Sequence, residues 1–165
     1  MVFQNYIMKR KIMLYASMAL LLMACSKNKD SVSSGDNSWT FGSTSYKAST
    51  VVYINGGGGS NLAASAAGSS STSANGLVFA FTTPPTSSGQ MLITDSDDPN
   101  TVMVGVSKLT GTTTTYYMNS TTNVMANVTV NNGKVGVSFA GKIWLYNVSN
   151  ASDSAQLSVG TITEQ

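Results

Sequence analysis

The body of the chain alternates. In "GLVFAFTT" Leu77, Phe79 and Phe81 share one face, and in "TVMVGVS" Val102, Val104 and Val106 do the same. Side chains two apart on a strand lie on one side of a sheet, so both stretches read as strands with one buried face. "SWTF", "SYKASTVVYI", "QMLIT" and the Thr- and Tyr-rich "GTTTTYYM" read as further strands.

The sharpest signal is "NVMANVTVNNGKVGVSFAGKIWLYN". Asn132-Gly133 is a favoured pair for the two-residue type I′ hairpin turn, which needs φ > 0 at both positions. That turn sets Asn131 opposite Lys134. It then pairs Val130 with Val135, Val128 with Val137 and Ala126 with Phe139. All three pairs are apolar and share a face, so turn chemistry and burial pattern agree. Extended past a bend at Gly141, the register keeps Ile143 and Leu145 inward. It lines up Lys142, Trp144 and Tyr146 outside, with Thr121 opposite Trp144 and Asn119 opposite Tyr146. The last strand, "SAQLSVGTITE", turns Ala155, Leu157 and Val159 inward, and Ile162 breaks the parity, which predicts a bulge at Gly160.

One stretch interrupts the pattern. "NGGGGSNLAASAAGSSSTSAN", residues 55–75, reads as a long loop holding at most a thin strand at "NLAASA". Its Gly run lacks the Gly-Lys-Ser/Thr that a phosphate loop needs. Roughly eight to ten short strands with tight turns predict an all-β fold, an antiparallel β-sandwich with a lipocalin-like closed barrel as the alternative. Residues 38–165 form a single domain in this reading.

The first 37 residues follow different rules. Lys9, Arg10 and Lys11 precede the apolar run Ile12 to Ala24, and Cys25 closes it. That is the layout of a secretory signal peptide, helical and then removed, over residues 1–24. Thirteen helical residues cover roughly 20 Å, short of the roughly 30 Å bilayer core. Residues 26–37, "SKNKDSVSSGDN", are polar and aperiodic and read as a flexible tether. Three of the nine cations lie in the leader, leaving six against seven acids, a net charge near −1. A nearly neutral body offers no electrostatic footprint for nucleic acid.

"LMAC" resembles the lipobox of bacterial lipoproteins: Leu22, Ala24 and Cys25 fit, while Met23 stands where a small or β-branched residue is usual. The resemblance implies a thioether-linked diacylglycerol on Cys25, cleavage before it and further acylation by palmitate-like chains. Two or three acyl chains anchor stably where one is marginal. Ser26, rather than Asp, after the Cys favours the outer membrane. Lys27 and Lys29 precede a lone Asp30, so the acidic cluster of surface-exported lipoproteins is missing. With "SWTFGSTSYKAS", "NGLVFAFTTPPTSSGQ", "VTVNNGKVGVSF" and "DSAQLSVGTITE", the chain looks like small lipoproteins of Bacteroidota. That likeness implies a β-sandwich-like lipoprotein and brings no activity with it. The same phylum O-glycosylates Asp-Ser/Thr-apolar sites, which implies Ser31 and Ser154 as candidates.

The residue inventory argues against catalysis. The chain has no His and one Cys, the expected lipid site, so Ser-His and Cys-His pairs are excluded. Glycoside hydrolysis needs two placed carboxylates, but three of the body's five acids crowd one loop and Glu164 adjoins the terminus. That loop, with Asp95, Asp97 and Asp98, has the alternating acids of a calcium loop without its Gly and bidentate Glu; it reads first as a turn. No cofactor signature is present. The surviving candidates are aromatic: Trp144 and Tyr146 with Lys142 on the outer hairpin face, and the adjacent Tyr116 and Tyr117, one of which must face out. Flat aromatics among polar neighbours suit a sugar ring or a protein partner. The expectation is a non-enzymatic, lipid-anchored envelope module that meets a glycan or an envelope protein; the alternative is a carrier holding a small apolar ligand inside a barrel.

Overall fold

A computed structural model describes residues 36–56, 59–66 and 75–165. The leader, Cys25 and Ser31 lie outside these residues. The described chain is all-β, with twelve strands: β1 (Ser38–Phe41), β2 (Thr44–Gly56), β3 (Gly59–Ala66), β4 (Gly76–Phe81), β5 (Gly89–Ile93), β6 (Thr101–Thr110), β7 (Thr113–Asn119), β8 (Met125–Asn131), β9 (Lys134–Phe139), β10 (Ile143–Asn147), β11 (Asn150–Val159) and β12 (Ile162–Thr163).

The hydrogen-bonded order is β12-β9-β8-β5-β6-β4-β3-β2-β1-β11-β10-β7, and β6 also pairs with β7. That last pairing closes β6, β4, β3, β2, β1, β11, β10 and β7 into a ring of antiparallel neighbours. The other four strands branch from β6, whose Thr101 and Val102 pair in parallel with Leu92 and Ile93 of β5. The ladder thus closes as in a barrel while its interior is filled as in a sandwich. Phe79, Leu62, Leu77, Ile93, Leu145, Leu157 and Ile162 are fully buried in one core drawn from the ring and the branch alike.

The fork in β6 has a simple device. Gly105 to Thr110 pair with β7 and Thr101–Val102 with β5, leaving a seam between them. Asn119, the last residue of β7, fills it: its Oδ1 accepts the Val104 N–H at 2.6 Å, and its Nδ2 donates to the Ser120 carbonyl at 2.8 Å. A buried backbone donor without such a partner would cost about 1–3 kcal/mol.

The β8–β9 hairpin has the register that the turn chemistry requires. Val130 pairs with Val135, Val128 with Val137 and Ala126 with Phe139. Asn132 and Gly133 have φ of 51° and 80°. Past this hairpin the expected register fails. The chain turns at Gly141 and leaves β8 for the other side of the ring, where Asn119 faces Leu145 and Met118 faces Tyr146. Thr121 is not opposite Trp144. The inward parity of Ile143 and Leu145 survives, because burial rather than pairing partner sets it.

Three further differences have physical causes. Residues 55–56 and 59–66 are strand, so the thin strand allowed at 61–66 is longer and central: β3 lies between β2 and β4 in the sheet, with Leu62, Ala63 and Ala64 buried. Neighbours on both sides override the weak β propensity of Ala, Ser and Gly. Ile162 changes parity because the chain leaves β1 after Val159 and joins β9 as β12, so a change of partner replaces the expected bulge. Asn37, polar enough to read as tether, is 4% exposed with a positive φ. Its N–H donates to the Thr161 carbonyl, its Oδ1 accepts the Thr163 N–H and its carbonyl accepts the Ala48 N–H. It clips β2 and β12 together just before β1.

Candidate functional site

β10 presents the aromatic candidates. Its two faces separate cleanly: Ile143 and Leu145 point into the core, while Trp144 is 49% and Tyr146 38% exposed. Lys142, just before the strand, is exposed. Successive outward residues on a strand are about 6.7 Å apart, so the two rings stand side by side. On β11, Gln156 faces Trp144 and Ser154 faces Tyr146. One strand further, Thr40 faces Ser158, and its hydroxyl meets that of Ser45 at 3.0 Å. On the other flank β7 ends at Asn119, opposite Leu145, so no β7 residue pairs with Trp144. The result is two exposed rings bordered on the β11 side by hydroxyl and amide side chains, with Met118 of β7 opposite Tyr146 and an ammonium before the strand.

The tyrosine pair divides as adjacency demands. Tyr116 faces outward and is half-buried beside Val148, against a second apolar cluster of Ala63, Val78, Met103 and Met118. Tyr117 faces the core at 7% exposure, with its ring edge-on to Phe41 at 4.8 Å. It therefore leaves the list of surface candidates. Its hydroxyl, at the end of the ring, donates to Asp153 Oδ2 at 2.9 Å, and Asn147 Nδ2 donates to the same oxygen at 2.8 Å. These bonds tie β7, β10 and β11 together. The Asn147 and Tyr117 hydrogen bonds and the Lys108 charge hold the Asp153 carboxyl below its ordinary value. Burial, followed by the Asp153 hydrogen bond and charge, pushes the Tyr117 hydroxyl up. Asp153 thus acts as a brace, and Ser154 beside it is half-buried on the outer face next to Tyr146.

The acids do not converge. Asp95 accepts from the Thr121 hydroxyl at 3.1 Å, and Asp98 accepts from Ser96 at 2.7 Å within its own turn. Asp95, Asp97 and Asp98 form no metal cage; among the described residues no three His, Cys, Asp or Glu side chains are placed to hold an ion. Glu164 Oε2 accepts the Val135 N–H at 3.3 Å. Asp95, Asp98, Asp153 and Glu164 are each held by hydroxyl, amide or backbone donors rather than facing a second carboxylate.

Two features escaped the alternation pattern. The second apolar cluster puts Val78 at 0% exposure on what should be a solvated face. The near-continuous apolar runs "LVFAF" and "VMVGV" carried that signal, since strands buried on both faces lose their alternation. The Tyr117–Asp153 brace joins residues 36 apart, and no local pattern announces it. No family model, curated protein or solved structure matches the chain.

Proposed function

We propose that the chain is a non-enzymatic lipoprotein of the outer membrane, anchored through acyl chains on Cys25, whose β domain binds an envelope glycan on the outer face of β10. The observation that carries the binding role is the exposed pair Trp144 and Tyr146, set in a border of Gln156, Ser154, Ser158 and Thr40. A sugar ring has an apolar face and a polar rim. It stacks on indole and phenol while hydroxyl and amide side chains take its rim. Lys142, exposed just before the strand, suits a uronic or otherwise acidic unit. The anchor rests on the order of basic residues, short apolar run and Cys25, and on the lipobox resemblance. The crowding of Asp95, Asp97 and Asp98 in one loop, away from Trp144 in sequence, supports a binding role over glycan hydrolysis, which needs two placed carboxylates.

The binding role is tested by titrating purified cell-envelope polysaccharide into wild type and Trp144→Ala. Quenching of indole fluorescence in wild type and its loss in the variant are expected; equal binding by both sinks the site. The anchor is tested by growth on radiolabelled palmitate: label in wild type and none in Cys25→Ala is expected, and equal labelling contradicts it.

A carrier role has one supporting observation, the closed ring with three buried polar atoms, Trp39 Nε1, Tyr53 Oη and Ser60 Oγ, that find no partner among the described residues. The large side chains that fill the interior argue against it.

A further inference from the structure

A second polar feature lies away from β10, on the outer face of β8, β9 and β12. There Thr129, Gly136 and Thr163 form one cross-strand row, and Asn131 faces Lys134 in the next. Thr129, Asn131, Lys134 and Thr163, with Thr161 and Glu164, line an open cleft of about 440 Å³. Gly136 lies between the two threonines without a side chain. A Cβ there would stand 2.6 Å from Thr129 Oγ1 and 3.0 Å from Thr163 Oγ1, so the two hydroxyls close over the bare backbone.

The lining is chemically selective. It contains one cation, one anion, hydroxyls and amides, and no aromatic ring. A lone anion would meet Glu164, and a lone cation would meet Lys134. A molecule carrying both charges satisfies each with its opposite, and the Thr and Asn side chains take the remaining oxygens. We propose that this cleft binds a zwitterion of the phosphoethanolamine type, with its phosphate toward Lys134 and its ammonium toward Glu164.

The position of the cleft favours this ligand. Thr161 and Thr163 line it, and both bond to Asn37, which directly precedes β1 and follows the segment expected to be the tether. A flexible ten-residue linker spans on the order of 17 Å. If Cys25 is lipidated as proposed above, the cleft is held close to headgroups that carry this group. The choice of a membrane source rests on that anchoring reading; recognition of the zwitterion does not.

Calorimetric titration of the full mature protein, in a maltoside detergent, with O-phosphoethanolamine tests the recognition. Saturable binding is expected, at least tenfold weaker for inorganic phosphate or ethanolamine alone, and at least tenfold weaker in Lys134→Met and Glu164→Gln. Glu164→Gln retains an acceptor for the Val135 N–H, and both variants are checked for unchanged thermal unfolding. No saturable binding, equal binding of phosphate alone, or undiminished binding by both variants overturns the proposal. A second arm uses the Cys25→Ser chain and vesicles. Binding to phosphatidylethanolamine vesicles but not to phosphatidylglycerol vesicles assigns the membrane source. Binding of the free zwitterion alone supports the cleft and assigns a soluble ligand. Failure of palmitate labelling would remove the anchor and leave the first arm intact.

Discussion

Trp144 and Leu145 are neighbours in sequence and opposites in the structure, so they make a paired test. Leu145 is 0% exposed within the core. Leu145→Ala removes its buried methyl groups and leaves a cavity, which costs about 3–4 kcal/mol. Trp144 is 49% exposed on a sheet face. Its replacement by Ala forfeits cross-strand contact and β propensity, about 1 kcal/mol. At roughly 3 °C per kcal/mol for a domain of this size, the melting points should fall by about 10 °C and about 3 °C. Urea unfolding followed by circular dichroism gives the free energies, and polysaccharide titration gives the affinities. Trp144→Ala should unfold almost as wild type and bind at least tenfold more weakly, a loss of about 1.4 kcal/mol in binding. A Trp144→Ala cost equal to that of Leu145→Ala would refute the reasoning, since the indole would then be part of the packing rather than a free face.

Two more predictions concern the frame that holds β10. Gly133→Val puts a β-branched side chain at a φ of 80° in the β8–β9 turn and should cost about 1–2 kcal/mol in urea unfolding, with little change in binding on β10. The Asp153 carboxyl is held below its ordinary value in the fold, so the native state binds fewer protons than the unfolded one. Its stabilisation is present above the unfolded value, near 3.8, and is lost as pH falls through the folded value. Asp153→Asn should flatten the acid limb of a stability–pH curve measured between pH 2 and 5, and an unchanged limb would contradict the brace.

How much of this was legible depended on the range of the interaction. The β8–β9 hairpin was readable because a two-residue turn fixes its own register and the apolar pairs repeat the answer. The inward sets of β4 and β6 were readable because alternation is local. Partner choice was not. Ile143 to Asn147 have the right parity on paper, yet nothing nearby shows that they leave β8 to pair with β7 and β11. The same holds for the fork at Val104, which depends on Asn119 arriving from fifteen residues away. β3 was legible only as a thin strand inside a loop, since Ala, Ser and Gly make a strand only between two stronger neighbours. For the site, the outward pair of Trp144 and Tyr146 survived the change of partner because it rests on parity alone. Tyr117 moved from candidate surface to core, since adjacency could say that one tyrosine faces in but not which.

The central claim is that the outer face of β10 is a glycan-binding surface. Its most direct test is a titration of purified envelope polysaccharide into wild type, Trp144→Ala and Tyr146→Ala, read by calorimetry so that loss of the indole does not remove the signal. Saturable binding by wild type and at least tenfold weaker binding by each folded variant is the predicted result. Wild-type binding that both variants retain in full, or no binding by wild type to any envelope polysaccharide, would contradict it.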